Sequence, residues 1–132
     1  MRPTGHEEAG YPLEATSLAT YTRIDPAHQA VFSPVVIQDM LRKELGFDGV
    51  VISYDLGNAA AVKALPPGRR ALAFLRAGGD LVLSVNAGDI PAMTSAVLAA
   101  VGDGPVLRAH VEQSVRRVLA AKQAAGLLRC AG

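Results

Sequence analysis

The 132-residue sequence has no tryptophan, and its aromatic residues make up 5% of the chain. The interior must therefore be filled by aliphatic side chains, and a row of aromatic platforms for stacking nucleic-acid bases is excluded. A single cysteine, Cys130, cannot form an internal disulfide or seed a cysteine metal cluster. The formal net charge is only +1, with lysine and arginine scattered, so the chain lacks the basic footprint of a nucleic-acid or anionic-membrane binder. No apolar run approaches the ~18 residues of a membrane span. The opening "MRPTGHEEAGYPLE" has no secretory apolar segment, which predicts a soluble, cytoplasmic chain.

Motifs for bound groups are scarce as well. His6, His28 and His110 have no second ligand at metal spacing, and neither a G-x-G-x-x-G nor a Walker loop occurs. The sequence thus predicts no metal, no cofactor and no nucleotide.

What is present is a repeated α/β pattern. Residues 1–14 are polar and aperiodic and read as a poorly ordered lead-in, with residues 129–132 as a tail. "ATSLATYT", Ala15 to Thr22, reads as a short strand, followed by a loop through Asp25-Pro26. Ser33-Pro34 has the chemistry of a helix start, because the serine oxygen accepts an early N–H and proline at the first turn forfeits no bond. Val36, Ile37, Met40 and Leu41 then form an apolar face, and Gly46 marks the stop.

"VVIS", Val50 to Ser53, is apolar at successive positions, as expected of a central parallel strand buried on both faces. An alanine-rich helix to Leu65, a Pro66-Pro67-Gly68 break and a second helix from about Arg69 to Ala77 follow. "AGGDLVLS" repeats the device of glycine, aspartate, apolar strand and serine, and Ser84 follows Ser53 by 31 positions, the length of one strand-helix unit. A helix from about Pro91 to Val101 leads into a last one ending near Ala125. There Leu107, Val111, Val115, Val118 and Leu119 make a stripe, and Glu112 is placed to pair with Arg116.

Three parallel strands with helical crossovers place ligand-facing groups at the strands' carboxyl ends. Those groups are Tyr21 and Thr22, then Ser53, Tyr54 and Asp55, then Ser84 and Asn86. Each also has a plain structural use in satisfying turns and helix starts, and Asp55 suits a helix N-cap. So few strands leave open edges, which predicts self-association or a complementing chain.

"YTRIDP", "FSPVVIQDMLRKELGFDGVVIS", "DLGN", "ALAFLRAGGDLVLSV" and "SVRRVLAAKQAAGLL" occur in this order between about Ser17 and Leu128. Together they resemble the last third of the catalytic barrel of glycoside hydrolase family 3, in its bacterial β-N-acetylhexosaminidase and β-glucosidase-like members. The resemblance implies an α/β fold: a partial (β/α)8 TIM barrel over residues 15–128, comprising about the last three strand-helix units. It implies hydrolysis of O-glycosyl bonds, with β-linked carbohydrate as the partner once a barrel is complete. The motif order speaks against an unrelated flavodoxin-like domain.

In the family a retaining mechanism uses an aspartate in a Ser-Asp-Asp-Leu-Gly motif, and an acid/base from an earlier loop about 5 Å away. Laid on this sequence, Ser53 is the serine, Tyr54 stands at the nucleophile position, Asp55 is the second aspartate, and Ser53 and Asn58 flank the sugar site. A phenol titrates at about pH 10 and needs a neighbouring base to serve as nucleophile. Side chains alternate along a strand, so Asp55 is expected to face away from the side that position 54 addresses. The acid/base segment is absent as well, and the chain alone is expected not to hydrolyse glycosides.

Overall fold

A computed structural model of the chain describes residues 13–129. The lead-in with His6 and the terminal Cys130 lie outside the described residues, apart from Leu13 and Glu14. Those two open strand β1, Leu13–Thr16. Strands β2, Val50–Asp55, and β3, Leu81–Leu83, complete a sheet of order β1-β2-β3 in which both pairings are parallel.

β1 therefore starts earlier than its composition predicts and does not reach Thr22. Pairing, not propensity, sets its length: Leu13 to Thr16 match Val50 to Ser53, and the chain then bends away. Ser17 Oγ accepts the Ala19 N–H at 2.9 Å, and the Tyr21 carbonyl accepts the N–H groups of Ile24 and Asp25, both at 2.9 Å. Tyr21 and Thr22 consequently lie in an exposed loop, and Thr16 ends the strand.

The first helix, α1, Val35–Glu44, starts where Ser33-Pro34 predicts it. Ser33 Oγ accepts the Val36 N–H at 3.1 Å, and the Ser33 carbonyl accepts that of Ile37 at 3.0 Å. α1 is wound as a π-helix, and the Leu45 N–H donates to the Met40 carbonyl five residues back. Gly46, with φ +68°, supplies the left-handed residue that ends it.

The alanine-rich stretch forms only a 3-10 turn, Ala60–Val62, not the helix expected to Leu65. Helix α2, Pro67–Arg76, uses Pro67 as its first residue. Helices α3, Ile90–Asp103, and α4, Pro105–Ala124, close the chain.

The core joins Ile37 of α1, Val51 of β2, Ala71, Phe74 and Leu75 of α2, Met93 of α3 and Leu107 of α4 with Val31, Leu56 and Val62. The Phe74 ring lies where a Cβ at Gly79 would stand, so glycine at the entry to β3 lets α2 close on the sheet. On α4, Val115 and Leu119 are exposed while Ser114 is buried, which corrects the predicted stripe. Ser114 is drawn inward by Asp80, its hydroxyl donating to Oδ1 at 2.6 Å. Glu112 pairs with Arg108, at 3.2 Å, and not with Arg116.

Among the described residues, only one face of the sheet is covered along its full height. Val51 and Val82 pack into the core, whereas Leu13, Tyr54, Leu81 and Leu83 on the opposite face are exposed. This arrangement departs from the sequence expectation that β2 is buried on both sides. Val50 is buried, but exposure rises along β2 toward its carboxyl end.

Candidate functional site at the tip of the central strand

The carboxyl end of β2 divides its side chains between two sides. Tyr54 is 58% exposed on the uncovered face. Ser53 and Asp55, on either side of it, are spent on holding the backbone. Ser53 is 1% exposed, and its Oγ accepts the Leu83 N–H at 2.8 Å. Asp55 Oδ1 accepts the N–H groups of Gly57 at 2.8 Å and Val85 at 3.0 Å, and Oδ2 accepts that of Asn58 at 3.0 Å.

These bonds bridge the place where the β2–β3 register shifts, between Ile52 and Asp55. The extra backbone length has its amides met by side chains instead of ladder carbonyls. Burial opposes ionisation of Asp55, but the amides of Val85, Gly57, Asn58 and Ala59 outweigh it and hold the carboxyl below its ordinary range. Asp55 therefore closes a turn and ties the tip of β2 to the chain just after β3, and this corrects the helix-start role expected of it, because the 3-10 turn that follows has Ala59 at its N-cap and α2 has Pro66. Its carboxylate is committed to backbone donors.

The turn after Asp55 is gripped from behind by Arg70, a buried residue of α2. Its Nη1 donates to the carbonyls of Leu56 at 2.9 Å and Gly57 at 3.2 Å, and its Nε to that of Leu65 at 2.7 Å. Asp89 Oδ2 lies 3.4 Å from the same Nη1 and balances the charge. A Cβ at Gly57 would collide with Ser84 Oγ and come within 2.9 Å of the Asn86 nitrogen, so the turn packs tightly on the loop after β3.

Ser84 and Asn86 serve that loop. Ser84 Oγ accepts the Asn86 N–H at 3.2 Å, and Asn86 Oδ1 accepts that of Gly88 at 3.1 Å. Asn58 is exposed, with its backbone fixed by Asp55. Of the seven strand-end candidates, the structure thus gathers Ser53, Tyr54, Asp55, Ser84 and Asn86 at neighbouring strand ends, with Tyr54 the one directed onto the open face. Tyr21 and Thr22 belong to the preceding loop.

Three features went unnoticed in the sequence. Arg70 is one, since an arginine in an amphipathic helix reads as a solvent-facing residue. The second is a buried group beside the β1 loop: Asp25 Oδ2 accepts the Ser33 hydroxyl at 2.7 Å and the His28 Nδ1–H at 2.9 Å. The Ser33 hydroxyl above all, against some burial and together with His28 and the Ala27 amide, holds Asp25 below the usual carboxylate range.

The third is Asp80, at the opposite end of the sheet. Its carboxylate accepts the Val51 N–H at 3.0 Å, the Ser114 hydroxyl at 2.6 Å and Arg117 Nη1 at 3.0 Å, and it pairs closely with Arg42 Nη2. Burial pushes its pKa up, but these four partners prevail and lower it. His110 Nε2–H donates to the Gly79 carbonyl at 2.9 Å beside it. This cluster ties α1, β2, β3 and α4 together, far from the strand tips. The signal for it was the twice-used aspartate before an apolar strand.

Among the described residues, no three His, Cys, Asp or Glu side chains are grouped to hold a metal ion, and no helix is long and apolar enough to cross a membrane.

Comparison with known proteins places this arrangement in context. The sequence matches the glycosyl hydrolase family 3 N-terminal domain over residues 12–121. It is 48% identical over 75 residues to a β-hexosaminidase of Alkalilimnicola ehrlichii, covering 57% of this chain and 21% of that protein. A β-hexosaminidase of Idiomarina loihiensis is 36% identical over 107 residues, covering 81% of this chain and 31% of the relative. The crystal structure of a β-N-acetylhexosaminidase from Beutenbergia cavernae superposes with a TM-score of 0.84 at 42% identity, over 89% of this chain and 35% of that one. A family 3 β-N-acetylglucosaminidase from a Paenibacillus species also gives 0.84, at 31% identity, over 95% of this chain and 24% of its own. The chain thus spans about a fifth to a third of the length of these relatives. With the family 3 match running from the first strand into the last helix, this chain belongs to glycosyl hydrolase family 3.

Proposed function

We propose that the chain forms three strand-helix units of a β-N-acetylhexosaminidase-type (β/α)8 barrel, and that this barrel engages β-linked N-acetylhexosaminides without hydrolysing them. The observation that carries the reading is the division of labour at the β2 tip. Tyr54 stands at the position that the family resemblance gives to the nucleophile and is presented on the open face, while Asp55 is turned into the backbone of its own turn and of the loop just after β3.

Retaining hydrolysis needs two carboxyl groups about 5 Å apart across the glycosidic bond, one as nucleophile and one as acid/base. A carboxylate bound by amides of both its own turn and the loop after β3 cannot swing to a sugar carbon without releasing them. Tyr54 supplies a phenol in its place, and no side chain hydrogen-bonds to it as a base among the described interactions. The phenol ring and hydroxyl can still contact a sugar, so binding is retained where bond cleavage is lost.

The test is a graft. Residues 13–129 replace the matching region of the Beutenbergia cavernae enzyme, which supplies every other part of its own barrel. Aryl β-N-acetylglucosaminide turnover is then measured with Tyr54 and with Tyr54→Asp. Turnover is expected only in the Tyr54→Asp graft.

A further inference from the structure

A cavity of about 690 Å³ opens at the end of the sheet away from the Tyr54 tip, between α1, the last turn of α2 and α4. That is the size of a small-molecule site, and all of its lining residues lie between Gln38 and Arg117. Its charge is one-sided. Arg42 and Lys43 of α1, Arg76 of α2 and Arg117 of α4 line it, and no aspartate or glutamate among the described residues does. The whole chain carries a formal net charge of only +1, so these four cations are a local concentration and not part of a basic surface.

The nearest carboxylates balance them only in part. Asp80 lies beneath the cavity with its side chain fully buried and is shared by Arg42 and Arg117, whose side chains are 12% and 19% exposed. Burial first, against the pull of Asp80, and then the adjacent charge of Arg117 hold the Arg42 guanidinium below its ordinary pKa. The two arginines therefore still repel one another across a single anion. To the described residues Arg117 donates through Nη1 alone, and no buried side-chain donor among them lacks a partner, so its remaining N–H groups open onto the cavity. Lys43 pairs with Asp39 only at the exposed surface, where such pairs are weak, and the Arg76 guanidinium has no partner among the described residues.

Gln38 and Arg42 lie one turn apart on α1, as do Gln113 and Arg117 on α4, so both helices offer the cavity an amide and a guanidinium. Planar guanidinium forks match phosphate oxygens, and lysine adds a point charge. The rest of the wall is apolar: Leu75, Val106 and Leu107 line it, and Leu107 stands about 15 Å along α4 from Arg117. We propose that this cavity binds a small phosphate monoester, its anionic group held by Arg42 and Arg117 with Lys43 and Arg76 at the rim, and its apolar body laid against Leu75, Val106 and Leu107. The site stands apart from the strand tips and does not depend on what position 54 does there.

The test titrates the nitrogen-15-labelled 132-residue chain with phenyl phosphate at constant ionic strength, following the side-chain amides of Gln38 and Gln113 by nuclear magnetic resonance. Saturable shifts of both amides are expected, with weaker binding of inorganic phosphate, which leaves the apolar wall empty, and none of phenol, which lacks the anion. Arg117→Gln and the double variant Lys43→Gln with Arg76→Gln are each expected to weaken phenyl phosphate binding about 10-fold, the worth of a charge-assisted bond. Arg108→Gln removes an equal charge from the exposed side of α4, outside the cavity, and is expected to leave the affinity unchanged. If Arg117→Gln loses its circular dichroism, the double variant, whose side chains are exposed, decides alone. Absence of saturable shifts, equal binding of phenol or of inorganic phosphate, indifference to the double variant, or an equal loss in Arg108→Gln would each overturn the proposal.

Discussion

Asp55 Oδ1 accepts the backbone N–H of Val85 at 3.0 Å, and this bond joins the tip of the central strand to a residue 30 positions further along the chain. Together with the Ser53 to Leu83 bond, it pins both neighbours of Tyr54 to β3 and the chain just after it. Position 54 is therefore held out on the open face by the residues on either side of it.

Replacing Asp55 by asparagine keeps the shape but removes the charge and turns one acceptor oxygen into a donor facing an amide. Loss of about 1–3 kcal/mol is expected in urea unfolding. Amide exchange at Gly57, Asn58 and Val85 should quicken more than at the core of β2.

Arg70→Met removes the donors held by the Leu56 and Gly57 carbonyls while keeping much of the side-chain volume. The carbonyls are left in a buried setting, so a cost of about 2–3 kcal/mol is expected. The thermal midpoint should fall while the far-ultraviolet spectrum remains that of the folded chain.

Among the described residues Tyr54 has no side-chain partner, and it is exposed. Tyr54→Phe and Tyr54→Asp are both expected to alter stability by no more than about 0.5 kcal/mol, as surface changes do. Denaturant midpoints of the two variants check this.

Asp80 is a buried carboxylate shared by two arginines, Arg42 and Arg117. Asp80→Asn leaves Arg42 and Arg117 without their shared carboxylate, and a loss of about 3–5 kcal/mol is expected. The pH dependence follows from the lowered pKa of Asp80. Its folded value lies below the ordinary aspartate value of about 3.9, so near that pH the unfolded chain binds more protons. The stabilisation is complete above about pH 4 and is lost as pH falls through the folded value. Asp25 and Asp55 act in the same direction. Unfolding free energy is expected to decline on the acid side in the parent chain and more gently in Asp80→Asn, as urea titrations between pH 2 and 7 (roughly) would measure.

The parts of the fold that were legible in the sequence are those set by local chemistry. Ser33-Pro34 starts α1, Gly46 ends it, Pro67 opens α2, and the glycine-aspartate device precedes two strands. What escaped was set across the chain. The length of β1 is decided by its match to β2, and the Thr- and Tyr-rich run beyond Thr16 has no partner in the sheet. The polar stitching of the site joins Ser53 to Leu83, Asp55 to Val85 and Arg70 to the Leu56 turn, contacts that no local pattern announces. Alternation along the strand did foretell that Tyr54 and Asp55 take different sides. It did not foretell what Asp55 would hold.

The most direct measurement of the central claim is turnover of an aryl β-N-acetylglucosaminide by the Beutenbergia cavernae enzyme carrying residues 13–129 of this chain. With Tyr54 in place, no turnover above the uncatalysed rate is expected, and Tyr54→Asp should raise it by roughly 10³-fold or more, the scale on which a catalytic nucleophile acts. Turnover by the Tyr54 graft that persists in Tyr54→Phe and disappears in Asp55→Asn would contradict the account, because it would make Asp55 the reacting group.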